Sequence, residues 1–334
     1  MKIGVALSGG GIKGAAHIGV LQAFKENGIN IDMISGASSG SIVATLYAAG
    51  FSPDEIYKFF KKYAKDIKYV DASNIIKLIF GILTGSGITI NGLTKGKSLE
   101  NNIRKECAKK DIQSIKDIKF PLYISSVNLG SGNTYIFNNQ KSKIYKKFEL
   151  IDNIDIATAV RASCSYPGVF TPVKWNGCTF VDGGLRENTP WEILKMEGAD
   201  KTICVTFKDT TKKSCCKNLI SVIDCSIGYL NSELKDYELV GSGETIEIKT
   251  SDISLLEYSK VDELYQIGYK TANEFCKKNK NLLQERWKSP LFILPIFKSF
   301  WLKENLLHKL KSYYAYNPHL QKFKGGDIFL VVLY

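Results

Sequence analysis

The chain has 334 residues, of which 44% are hydrophobic, 11% aromatic and 23% charged. This composition allows a large packed core and excludes a chain that is disordered along its whole length. The net charge is +12, but only four of the 45 basic residues are arginines. Because base-specific readout favours the arginine fork, we expect no nucleic-acid partner. The lysines suit either an anionic membrane surface or an ordinary soluble surface.

The eight cysteines form neither a C-x-x-C pair nor a Cys/His cluster with zinc spacing, which indicates reduced thiols and no metal site. The opening "MKIGVALSGGG" lacks the apolar region and the cleavage site of a secretory signal. Near the other end, "PLFILPIFKSFWL" is interrupted by proline and lysine and is too short to span a bilayer. We therefore predict a cytoplasmic protein, soluble or peripheral at a membrane.

The first elements alternate between strand and helix. "KIGVALSGGG" predicts a buried strand that runs into a glycine turn, and "KGAAHIGVLQAFKENG" predicts a helix that ends at Gly28. "INIDMISG" predicts a second strand, and "SIVATLYAAG" a second helix that ends at Gly50. This alternation is typical of an α/β fold, in which a parallel sheet carries helices on its faces.

Later segments predict further strands and helices. "FPLYISSVNLGSGNTYIF" reads as two strands joined by a turn, and "IDIATAVRASCSYPGVF" as a helix that ends before Pro167. "TPVKWNGCTFVDGG" predicts a hairpin turning at Asn176 and Gly177, and "DKTICVTF" a further strand. The composition shifts after about residue 281, so we predict one domain over residues 1–280 and a C-terminal extension over 281–334.

The extension over 281–334 mixes aromatic residues with lysines. Two roles for it remain open: docking on an anionic membrane, or an added helical layer packed on the core.

The first glycine motif comprises Gly9, Gly10, Gly11, Lys13 and Gly14, between a predicted strand and a predicted helix. It satisfies G-x-G-x-x-G, the pattern of a dinucleotide-binding loop, whose backbone N–H groups face an anion. The oxyanion of an acyl-transfer reaction would be stabilised equally well. The motif alone does not decide between the two.

The second glycine motif is a G-x-S-x-G pattern formed by Gly36, Ser38 and Gly40 at a strand-to-helix turn. Such a tight turn needs small residues two before and two after its centre. The central serine then stands at the positive end of the following helix, which favours alkoxide character. We therefore predict that Ser38 is a nucleophile.

The third motif is Asp182, Gly183 and Gly184, which ends the apolar strand "CTFV". It fits a catalytic carboxylate, but the motif by itself favours a turn aspartate before glycine.

The histidine that a serine hydrolase usually employs as its base is hard to place. His17 lies on the helix after the glycine loop and is interpreted as a packed or capping residue. His308 and His319 lie in the C-terminal extension, where the order Ser, acid, His of α/β-hydrolases would permit either. However, several strands precede the nucleophile in that fold, and only two precede Ser38.

Four segments occur in a recognisable order: "SGGGIKGAAHIGVL", "GASSGS", "RASCSYPGVFTPV" and "FVDGGLRENTP". Together they resemble the patatin-like phospholipase family over roughly residues 3–275, and "GLTKGKSLENNI" also fits its pattern. The resemblance implies a three-layer α/β sandwich with a central, mainly parallel sheet flanked by helices.

The resemblance also implies a serine–aspartate dyad in place of a catalytic histidine. Ser38 matches the nucleophile and Asp182 the proton acceptor. The loop over residues 9–14 matches the oxyanion hole, with the amides of its second and third glycines as donors and Lys13 at the family's basic position. His17 matches a residue that is common in the family but not catalytic. No metal or other cofactor is expected.

We therefore expect a lipid acyl hydrolase of the phospholipase A or lysophospholipase type, acting on phospholipid or other fatty-acyl esters at a membrane surface. A non-specific or neutral-lipid esterase is an alternative. From another class, a catalytically silent lipid-binding protein or a nucleotide-binding protein using the first glycine loop remains possible.

Overall fold

The apolar segments of the sequence form a mixed β-sheet at the centre of the fold. The computed structural model describes residues 1–63, 84, 91–140, 144–208, 219–250, 253 and 257–279. Within these ranges the strands are β1 (Ile3–Leu7), β2 (Met33–Gly36), β3 (Leu122–Asn128), β4 (Thr134–Asn138), β5 (Phe148–Ile151), β6 (Val173–Trp175), β7 (Cys178–Asp182), β8 (Lys201–Lys208) and β9 (Glu244–Lys249).

Most neighbouring strands run parallel. The order across the sheet is β5-β4-β3-β2-β1-β8-β9, and β7 pairs with both β3 and β6. The pairs β1–β2, β1–β8, β2–β3, β4–β5 and β8–β9 are parallel, whereas β3–β4, β3–β7 and β6–β7 are antiparallel. The predicted mainly parallel sheet is therefore confirmed.

Helices connect and cover these strands. The helices of the described residues are α1 (Gly14–Glu26), α2 (Ser39–Ala48), α3 (Pro53–Tyr63), α4 (Lys97–Ala108), α5 (Ile156–Ser163), α6 (Trp191–Met196), α7 (Leu219–Glu238) and α8 (Val261–Lys278). Gly28 and Gly50 follow the ends of α1 and α2 with positive φ, which agrees with the helix ends predicted from those glycines.

The sheet separates two hydrophobic layers, because successive strand residues point to opposite faces. Val5 and Leu7 of β1 belong to the larger core, which also contains residues of α1, α2 and α8. Ala6 between them belongs to a smaller core with Trp191 and Leu194 of α6. Helices therefore cover both faces, as the three-layer arrangement requires.

The carboxyl ends of β1 and β2 bring two of the glycine motifs together. Leu7 pairs with Gly36, so the glycine loop and the serine turn begin side by side at one edge of the sheet. On the other side of β2, β3 pairs antiparallel with β7, and Ser126 lies opposite Asp182. The end of β7 therefore reaches the same region from a distant part of the chain.

The two predicted hairpins are also present: β3 with β4, and β6 with β7. Asn176 and Gly177, between β6 and β7, have φ of 45° and 78°, the left-handed conformation that a tight turn with these residues adopts. No helix of the described residues combines the length and apolarity that crossing a membrane would take. The predicted extension over 281–334 lies outside those residues.

Candidate active site

Ser38 stands at the turn between β2 and α2, with φ of 48° and ψ of −124°. A positive φ is rare for a residue with a side chain and is typical of a strained nucleophile turn. The flanking glycines are sterically required. A Cβ on Gly36 would lie 2.5 Å from the carbonyl carbon of Gly40, and one on Gly40 would lie 2.3 Å from the carbonyl oxygen of Leu7.

Hydrogen bonds hold the strained peptide of Ser38 on both sides. Its N–H donates to the hydroxyl of Ser163 at 3.0 Å, and its carbonyl oxygen accepts the hydroxyl of Ser41 at 2.6 Å. Sequence reasoning did not single out Ser163, since no spacing rule links the end of α5 to the serine turn. Its only signal was its place in "RASCSYPGVFTPV".

Asp182 ends β7 and is only 2% exposed. Its Oδ1 accepts the N–H of Gly184 at 2.8 Å. Burial raises the pKa of Asp182 to about 6, although the Ser38 side chain and the Gly184 N–H both act to lower it. A carboxylate this buried binds protons more strongly than an exposed aspartate, yet it is mostly ionised at neutral pH.

The side chains of Ser38 and Asp182 come close together. The Ser38 hydroxyl lies near enough to Asp182 to lower the pKa of its carboxyl group. However, Oδ2 of Asp182 is buried and makes no hydrogen bond of ordinary geometry to any described residue. The two groups are therefore neighbours whose hydrogen bond is loose, as is common for catalytic groups without substrate.

The two glycines that follow Asp182 are both closely surrounded, Gly183 by backbone and Gly184 by side-chain atoms. A Cβ on Gly183 would lie 2.3 Å from the hydroxyl of Ser125, and one on Gly184 would lie 3.0 Å from Oδ1 of Asp182. The backbone of Ser125 therefore excludes a larger residue at position 183, whereas a larger residue at position 184 would press on the side chains of Asn188 and Asp182.

The backbone N–H groups of the glycine loop differ in their hydrogen-bond acceptors. Gly9 donates its N–H to Asn188, and Gly14 donates to the carbonyls of its own turn. The N–H groups of Gly10 and Gly11 have no acceptor among the described residues. Within the predicted oxyanion loop, these two amides and that of Ile12 have no acceptor among the described residues and remain for an anion, while Lys13 is buried.

His17 is buried beneath the glycine loop. Its Nε2–H donates to the carbonyl of Ser8 at 2.8 Å, and its ring lies 4.7 Å from that of Phe207. Burial lowers the pKa of His17 to about 4, so the ring is neutral at physiological pH. This arrangement agrees with the interpretation of His17 as a packed residue. The other two histidines, His308 and His319, lie outside the described residues.

A dinucleotide site needs an acidic residue near the glycine loop, and a metal site needs a cluster of ligating side chains. Asp32 precedes β2, and its carboxylate accepts the N–H of Ile3 at 2.8 Å, so it stands at the opposite end of the strand from the glycine loop. The described part of the chain holds no cluster of three or more His, Cys, Asp or Glu side chains that could bind a metal ion.

Comparison with known proteins gives a family match. A model described as patatin-like phospholipase matches residues 5–195. Lysophospholipase NTE1 of Candida albicans is 24% identical over 298 residues, which cover 81% of this chain and 20% of that protein. Uncharacterized protein R571 of Acanthamoeba polyphaga mimivirus is 34% identical over 206 residues, covering 61% of this chain and 64% of that protein.

Among solved structures, VipD from Legionella pneumophila aligns with a TM-score of 0.46 at 16% identity, covering 83% of this chain and 67% of that chain. The present chain spans about a fifth of the length of the lysophospholipases it matches.

Proposed function

Because the chain belongs to the patatin-like phospholipase family, we propose that it is a lipid acyl hydrolase that cleaves fatty-acyl esters with Ser38 and Asp182. One observation carries the proposal. Ser38 stands in a strained turn beside the buried Asp182, whose Oδ2 makes no ordinary hydrogen bond to a described residue. A hydroxyl and a base of this kind are the two parts that nucleophilic catalysis needs.

In the first half of the reaction, Oδ2 of Asp182 accepts the proton of the Ser38 hydroxyl as its oxygen attacks the ester carbonyl. The raised pKa of Asp182, about 6, makes this carboxylate a stronger base than an exposed aspartate. The oxygen of the tetrahedral intermediate becomes negative and accepts the N–H groups of Gly10 and Gly11.

The intermediate then collapses. The bond between the carbonyl carbon and the alcohol oxygen breaks, and Asp182 gives its proton to the departing alcohol. In the second half, Asp182 takes a proton from water, which attacks the acyl group on Ser38. The fatty acid leaves, and the proton returns to the Ser38 oxygen. Each step uses only groups of this chain, water and the ester.

The substrate class we propose is a phospholipid or lysophospholipid, reached at a membrane surface. The net charge of +12 supports attraction to anionic membranes. We include in the proposal a cytoplasmic location, peripheral at the membrane.

The test combines labelling with kinetics. A fluorophosphonate probe should label the wild type at Ser38, and Ser38→Ala and Asp182→Asn should each lower ester hydrolysis by at least about a thousandfold. Ser39→Ala is the matched control, because it removes a neighbouring hydroxyl to which no reaction step is assigned.

A panel of lysophospholipids, phospholipids and neutral esters separates a phospholipase from a general esterase. Folded wild type that neither labels nor hydrolyses any of these lipids would instead be a silent binding protein, and the proposal would be wrong.

A further inference from the structure

Asn188 lies in the loop that follows the Asp182 motif, and this loop is held in place without the Asn188 side chain. The hydroxyl of Ser125 donates to the carbonyl of Glu187 at 3.1 Å. The hydroxyl of Ser35 donates to the carbonyl of Pro190 at 2.6 Å. Both bonds are buried and flank Asn188, so a change of its side chain leaves the path of the loop supported.

Asn188 offers two acceptors to the N–H of Gly9, the first residue of the glycine loop. The N–H of Gly9 donates to the side-chain Oδ1 of Asn188 at 3.1 Å and to its carbonyl oxygen at 3.2 Å. The orientation of the carboxamide is settled by this contact, because a backbone N–H needs an acceptor and the amide nitrogen is a donor.

The same Oδ1 atom lies among all three sequence motifs. A Cβ on Gly9 would lie 2.8 Å from Oδ1 of Asn188 and 3.0 Å from Cβ of Ser38. A Cβ on Gly184 would lie 2.9 Å from the same Oδ1 and 3.0 Å from Oδ1 of Asp182. The carboxamide therefore touches the glycine loop beside the nucleophile and the glycine that hydrogen-bonds the base.

We infer that Asn188 is a positioning residue, which fixes the glycine loop relative to Ser38 and Asp182. The inference rests on the proposed hydrolase function. Glycine-rich backbone is intrinsically mobile, and the two amides assigned to the oxyanion directly follow Gly9. By anchoring Gly9, Asn188 keeps those amides aimed at the carbonyl oxygen that the Ser38 attack makes negative. A displacement of about 1 Å at such a site costs large factors in rate.

The test measures kcat and KM separately on a soluble ester. Asn188→Ala removes the Oδ1 acceptor, and we expect kcat to fall roughly 10- to 100-fold while KM changes less than about threefold. The matched control is Asn139→Ala. Its Oδ1 accepts the N–H of Leu122 at 3.0 Å, at the start of β3, away from the site. This control should keep kcat within about threefold of wild type, with a Tm as low as that of Asn188→Ala or lower.

A second readout reports on the oxyanion contact itself. A trifluoromethyl ketone forms an adduct with the nucleophile that carries an oxyanion, so its Ki should rise in Asn188→Ala by the same factor as kcat falls. The affinity for a fatty alcohol of the same chain length, which carries no negative oxygen, should stay unchanged. A residue that only stabilised the fold would not separate these two ligands.

Gly9→Ala tests the contact from the loop side and serves alone if Asn188→Ala does not fold. Where Asn188→Ala folds, the two substitutions form a double-mutant cycle. Gly9→Ala places its Cβ against Oδ1 of Asn188 and should reproduce the loss of kcat. In the double variant, the missing carboxamide removes the 2.8 Å clash and leaves the 3.0 Å contact with Cβ of Ser38, so the two losses should be less than additive.

Three results would overturn the inference: unchanged kcat in Asn188→Ala, a loss equal to that of Asn139→Ala, or additive losses in the cycle. Wild type that shows no hydrolysis dependent on Ser38 would instead refute the proposed function.

Discussion

The main-chain N–H of Ser38 donates a 3.0 Å hydrogen bond to the hydroxyl of Ser163, the last residue of α5. Ser38 has a positive φ, so its peptide relies on its partners to keep this conformation. We expect Ser163→Ala to lower kcat about three- to tenfold and the free energy of unfolding by about 1 kcal/mol, because a buried N–H loses its acceptor.

Kinetics on a soluble ester and urea unfolding check this prediction. Ser114→Ala is a suitable control, since it removes a hydroxyl that accepts the N–H of Lys116 at a helix start away from the site. Equal kcat losses in the two variants would contradict the special role of Ser163.

The raised pKa of Asp182 predicts how the reaction depends on pH. The carboxyl group must be ionised to accept the Ser38 proton, and burial raises its pKa to about 6. We therefore expect kcat/KM to be constant above about pH 7 and to fall about tenfold per pH unit below about pH 6. An uncharged soluble ester should be used, with circular dichroism to show that the protein stays folded at each pH.

Fluorophosphonate labelling of Ser38 should follow the same curve. A profile that stays flat between pH 5 and 8 would contradict Asp182 as the base.

The buried carboxyl group of Glu238, at the end of α7, should make the stability of the folded protein depend on pH. Burial raises its pKa to about 7, although the N–H of Thr189 donates to its Oε1 and lowers it. The folded state thus holds this proton more tightly than the unfolded state, so stability is lost as the pH rises from about 4.5 through 7. Glu238→Gln keeps the acceptor without the charge and should raise Tm at pH 8 by at least about 2 °C.

The gain should vanish near pH 4, where the wild-type carboxyl group is protonated in both states. Scanning calorimetry over a pH series measures the difference. Glu233→Gln on the same helix is the control, because Glu233 is exposed, and its substitution should change Tm little at either pH. A Glu238→Gln gain that is the same at pH 4 and pH 8 would show that its charge is not the cause.

Substitution of Arg161, on α5, should cause a large loss of stability. Its buried guanidinium donates to the carbonyls of Lys95 and Thr171, at 2.8 Å each, and to the hydroxyl of Ser165 at 2.7 Å. A lysine cannot reproduce this planar fork, so Arg161→Lys should lower the free energy of unfolding by about 2–3 kcal/mol, measured by urea unfolding.

The control for Arg161 is Arg186→Lys. Arg186 is exposed, and its side chain donates to the carbonyl of Gly132 at 2.9 Å. This substitution should cost less than about 1 kcal/mol. Equal losses in the two arginine variants would show that burial of the fork contributes nothing.

Local features were readable in the sequence, because they depend on residues that are close along the chain. The turn around Ser38 needs Gly36 and Gly40 at fixed spacing, and the hairpin at Asn176 needs the Asn-Gly pair that follows it. Both are encoded by local backbone preferences and steric limits. The packed state of His17 followed from its place on the helix after the glycine loop.

The role of Asp182 was not readable from its own neighbourhood, where the pattern by itself favoured a turn aspartate before glycine. Only the resemblance to a family of hydrolases assigned it to Ser38 in the sequence. In the structure the pairing of β3 with β7 carries Asp182 to the carboxyl ends of the parallel strands. Its raised pKa comes from burial, which is a property of packing and not of sequence order.

The sequence by itself thus determined the serine turn, the glycine loop and the strand that ends in Asp182, since each is a contiguous segment. Only the tertiary structure decided that Ser163 would accept the N–H of Ser38 and that Asn188 would accept the N–H of Gly9. No spacing rule joins segments so far apart in the chain. Their contacts depend on how strands and helices pack, and this packing decides which amides of the glycine loop are already hydrogen-bonded.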